Sequence, residues 1–104
     1  MMKRKEKSAL QKSFEQGLDL MKDEKWSEAQ LYFEDFIRSH PDSDLADNAI
    51  YLSAEFYLHK NEKELARLEF LRLLEKYPKS DRRSAAIAQL DSIESMQKPL
   101  IQRK

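Results

Sequence analysis

The chain has 104 residues, of which 19 are basic and 19 acidic, with a net charge of zero and no cysteine. That length suits one domain with one modest core. The missing cysteines exclude disulfides, thiolate metal sites and a lipid-modified N-terminal cysteine, and the charge balance argues against a dedicated surface for nucleic acid or anionic membrane.

Residues 1–7, Met1 to Lys7, form a basic and expectedly flexible N-terminus. The residues that follow build no apolar core of a secretory signal, and no run approaches the roughly 18 apolar residues that span a bilayer. As written, the chain reads as cytoplasmic; an export signal upstream of Met1 would make it periplasmic. The first helix is expected from Ser8 to Lys22. Ser8 and Gln11 have the spacing of a capping box, and Leu10, Phe14, Gly17, Leu18 and Met21 recur at helical spacing.

A second helix follows from Trp26 to Ser39, with Ala29, Phe33, Phe36 and Ile37 on one stripe, and Pro41 stops it. Asp42, Ser43 and Asp44 make a turn, and Asp44 is expected to cap a third helix running to His59. This helix is the most apolar, as suits a helix with neighbours on two sides. Lys60 and Asn61 form the next turn, since Asn tolerates left-handed backbone. The fourth helix, Glu62 to Tyr77, ends at Pro78. Ser80 and Asp81 are expected to cap a fifth, to Gln97, that packs through Ala86, Ile87, Ala88 and Leu90 and turns Asp91, Ser92, Glu94 and Ser95 to water. Residues 98–104 are a short tail.

Ala29, Phe33, Phe36, Ile37 and Pro41 recur 37 residues later as Ala66, Phe70, Leu73, Leu74 and Pro78, and Gly17 recurs as Ala54. A period of this size predicts a solenoid, in which each unit buries its apolar face against the next. The fold class expected is all-α: an α-α superhelix of two helix-turn-helix repeats, about 8–41 and 44–78, closed by a capping helix, 80–97.

These residues resemble the tetratricopeptide repeat. Gly17 and Ala54 match its small residue in the first helix, Ala29 and Ala66 that in the second, Phe33 and Phe70 its aromatic, and Pro41 and Pro78 its terminal proline. Three positions depart from the pattern: Glu24 replaces a turn glycine, Gln16 a leucine and Lys63 an aromatic. The longer unit and the Tyr-Pro-Lys-Ser turn after the fourth helix are similar to the outer-membrane-assembly lipoproteins and the periplasmic Tol–Pal-associated coordinator protein. That resemblance implies a bacterial protein and a cell-envelope assembly or division role as an alternative.

In such a stack the first helix of each pair lines a concave groove. Phe14, Leu18 and Met21, then Tyr51, Glu55 and Leu58, then Ala88, Ser92 and Ser95 are expected there, forming a site for a partner helix or extended segment. The Lys and Asn with which relatives grip a terminal carboxylate are replaced by Tyr51 and Glu55. Glu55 and His59, four residues apart, make too few ligands for a metal and are expected to pair on the helix surface. No nucleophile elbow and no phosphate-binding glycine loop occurs, so no enzyme, cofactor or small-molecule substrate is expected. The basic ends, Lys3 to Lys7, Arg82 and Arg83, and Arg103 and Lys104, lack interleaved aromatics for stacking bases and read as solvated. The chain is therefore expected to be a non-enzymatic adaptor or scaffold, with self-association as a homodimer as the second expectation.

Overall fold

A computed structural model describes residues 8–97, and among them five α-helices follow one another: α1 Ala9–Lys22, α2 Trp26–Ser39, α3 Ala46–His59, α4 Lys63–Lys76 and α5 Arg83–Gln97. No strand occurs among the described residues. The basic N-terminus at 1–7 and the tail at 98–104 lie outside them.

The helices start and stop for identifiable reasons. The Ser8 hydroxyl accepts from the Gln11 backbone N–H at 3.1 Å, satisfying an otherwise orphan donor of α1. At the other end, Glu24 N–H donates to Met21 O and Lys25 N–H to Leu20 O, both at 2.9 Å, with Glu24 at φ 61°. This is a Schellman closure, and α3 ends the same way: Asn61 donates to Leu58 O, Glu62 to Tyr57 O, and Asn61 also has φ 61°. The two closures are 37 residues apart.

The starts of α3 and α5 differ from expectation. Neither Asp44 nor Asp81 caps a helix. Ser43 Oγ accepts from Leu45 N–H at 3.0 Å and Ser80 Oγ from Arg82 N–H at 2.9 Å, so serine folds the turn two residues ahead. The helices then begin only at Ala46 and Arg83.

Each helix packs chiefly against its neighbours in sequence: α1 on α2, α2 on α3, α3 on α4, α4 on α5. The central α3 buries Ala46, Ala49, Ile50, Tyr51, Ser53, Ala54 and Phe56. Phe33 and Phe70, the largest fully buried side chains, stand one in each repeat. A Cβ added to Gly17 would lie 2.6 Å from Phe33 Cζ, so the aromatic of α2 occupies the space that glycine vacates. On α5, Ala86 and Ile93 are buried. Ile87 is 38% exposed and Ala88 is also exposed, which corrects their expected packing. Ile93 falls on the 3.6-residue continuation of Ala86 and Leu90 toward α4.

Candidate functional site

The residues expected to line a groove divide into three environments. Phe14 and Tyr51, 37 residues apart, are 8% and 6% exposed and belong to the core. The Phe14 ring lies 5.4 Å from Phe33 and 5.7 Å from Phe36, and Tyr51 meets Phe70 edge-on at 5.4 Å. The physical reason is the small-residue register. Gly17 and Ala54 draw α2 and α4 close, and the aromatics one turn earlier are enclosed by the partner helix.

Leu18, Met21 and Leu58 are half-buried and pack on the rim of that core. Glu55 is half-buried, and Ser92 is exposed. Leu18, Glu55 and Ser92 occupy one register position of α1, α3 and α5, so this face passes from apolar to acidic to hydroxyl along the stack.

Around Glu55 lies a polar patch that sequence reasoning missed. Arg82, grouped above with the solvated basic residues, sets its guanidinium 4.9 Å over the Tyr51 ring and donates from Nε to Asn48 Oδ1 at 2.8 Å. Gln89 Nε2 stands 3.5 Å from the Tyr51 hydroxyl. Burial pushes the Glu55 carboxyl above the ordinary carboxylate value, and Arg82 opposes that shift. The only sequence signal for this role was that Arg82 falls just ahead of the fifth helix. The surface pairing expected of Glu55 with His59 is replaced. The His59 ring packs against Trp26 at 4.4 Å, tying the start of α2 to the end of α3, while Glu55 feels Arg82.

Two clefts lie away from this face. One, of about 650 Å³, runs between the equivalent turns and is lined by Pro41, Asp42, Asp47, Tyr77, Lys79 and Ser80 among others. The Tyr77 hydroxyl donates to Pro41 O at 2.5 Å and Ser80 Oγ to Asp47, so side chains bridge the two turns. The other, of about 450 Å³, is bordered by Leu68, Leu71, Arg72, Leu74 and Glu75 on the outer side of α4. Among the described residues, no group of three or more His, Cys, Asp or Glu is placed to hold a metal ion, and no helix is long and apolar enough to cross a membrane.

Comparison with known proteins agrees with this layout. A family model described as tetratricopeptide repeat matches residues 13–43 and 48–80, more than half of the chain. No curated protein and no solved structure matches.

Proposed function

This chain belongs to the tetratricopeptide repeat family, and from that premise we propose that it is a non-enzymatic adaptor that holds a protein segment on the face shared by α1, α3 and α5. Tetratricopeptide repeats are generally protein–protein interaction modules. The observation that carries the choice of face is the apolar rim of Leu18, Met21 and Leu58 beside the Glu55–Arg82 patch. Half-exposed leucine and methionine next to a half-buried acid and a nearby guanidinium suit an amphipathic helix or an extended segment. Phe14 and Tyr51 act beneath this surface, as its floor.

Selection of peptides from a display library against the full chain tests the reading. The expected ligands lose binding to a Leu18→Glu/Leu58→Glu variant of unchanged helicity and keep binding to Leu68→Glu, which lies on the outer side. Ligands that bind both variants equally would sink the assignment of the face. The 37-residue unit and the Tyr77–Pro78–Lys79–Ser80 turn support, as the cellular setting of such an adaptor, assembly work at the bacterial cell envelope.

A further inference from the structure

The outer side of α4 carries three leucines that stay exposed among the described residues. Leu65, Leu68 and Leu71 are 43%, 50% and 39% exposed. They follow one another every third residue on the side opposite the buried Ala66, Phe70 and Leu73. The repeat supplies an internal control. Shifted back by 37 residues, these positions are Glu28, Leu31 and Glu34 on α2. An equivalent helix therefore folds with acids at two of the three places, and leucine at 65 and 71 is not demanded by the stack.

We propose that this strip is a homotypic contact, in which α4 of one copy lies antiparallel against α4 of a second copy, with the two-fold axis at Leu68. Charge pattern selects both the occupant and the direction. In the antiparallel pair, residues equally far from 68 come level with each other. Leu65 meets the partner's Leu71, Glu64 comes level with the partner's Arg72, and Arg67 with the partner's Glu69. A parallel pair would set Glu64 against the partner's Glu64 and Arg72 against the partner's Arg72. Leucine meets leucine in either case, but only the antiparallel arrangement matches opposite signs. Within each copy Arg72 pairs with Glu69 at 3.1 Å and with Glu34 at 3.8 Å, and Arg67 pairs with Glu64 at 3.1 Å, so the contacts across the axis extend pairs already formed on the helix.

Size sets the strength. A 14-residue helix is about 21 Å long, so a strip about 10 Å wide covers about 200 Å² per copy, well short of the roughly 800 Å² of a standard interface. The contact is therefore weak and reversible, populated only at high protein concentration.

Sedimentation velocity of the full chain from about 10 μM to about 1 mM tests this, because mass action shifts a weak dimer across that range. The sedimentation coefficient is expected to climb from monomer toward dimer. A Leu65→Glu/Leu71→Glu variant, which copies α2, is expected to stay monomeric throughout with unchanged helicity and melting. The chain has no native cysteine, so introduced thiols report the geometry directly. Leu68→Cys is expected to cross-link to itself under mild oxidant, and Leu65→Cys mixed with Leu71→Cys to give mainly the mixed disulfide. A wild-type chain that stays monomeric at 1 mM overturns the proposal and leaves the strip to an unlike protein. Equal association of the Glu variant overturns it as well. Leu65→Cys pairing mainly with itself overturns the antiparallel arrangement.

Discussion

Gly17 shows how much one side chain decides here. In an exposed helix, alanine would gain about 0.5–1 kcal/mol over glycine. At this site its methyl would meet the ring of Phe33, which is only 1% exposed and has nowhere to go. Overpacking of that kind costs about 1–3 kcal/mol, so Gly17→Ala is expected to destabilise the protein by about 1–2 kcal/mol, read as a lower denaturant midpoint. Ala54 holds the equivalent place before Phe70 in the second repeat, and both aromatics are fully buried. Other departures from repeat symmetry also have local causes. Gln16 Oε1 lies 2.9 Å from the Tyr32 hydroxyl, which donates to Ser13 O at 2.7 Å, so a polar bridge replaces an apolar contact between α1 and α2. Its counterpart Ser53 is fully buried inside α3, and its hydroxyl has no hydrogen-bond partner among the described residues.

At the level of elements, the five helices were legible because apolar residues recur at helical spacing between prolines and turn residues. What escaped was depth. Periodicity says that Phe14 and Tyr51 share a face, but it cannot say whether the partner helix closes over them, and that depends on how near Gly17 and Ala54 let it come. Arg82 was misplaced for a related reason, since a charge counted along the chain carries no sign of the Tyr51 ring across from it. The turns were half legible: Asn61 at φ 61° suits its place, whereas Glu24 holds the same left-handed geometry with a side chain that disfavours it. The left-handed conformation costs an ordinary residue roughly 1–2 kcal/mol. Glu24→Gly is thus expected to stabilise by about 0.5–1 kcal/mol after the added freedom of the unfolded chain, seen as a higher melting temperature. Asn61→Gly should gain less.

Across the whole molecule, the two repeats are joined by a half-buried polar network as well as by packing. Arg72 of α4 pairs with Glu69 and reaches Glu34 of α2, and Gln30 Nε2 donates to the Tyr57 hydroxyl of α3 at 3.1 Å. Burial raises the Glu69 carboxyl above its ordinary value of 4.5; Arg72 opposes this and Glu34 reinforces it. The native state therefore holds this proton more tightly than the unfolded chain does. Its contribution to stability is complete below the unfolded value and is lost as pH rises through the native one. Comparing melting temperature against pH for wild type and Glu69→Gln is expected to show a smaller gain in the variant on acidification toward 4.5. Equal slopes would remove Glu69 from this role.

That every substantial interface joins helices adjacent in sequence has a kinetic meaning. No distant stretch of chain must be brought back before a contact repays the entropy of closing it, so condensation is rapid. Release is graded in the same way: α1 and α5, each held on one side, let go first, and α3, clasped between α2 and α4, lets go last.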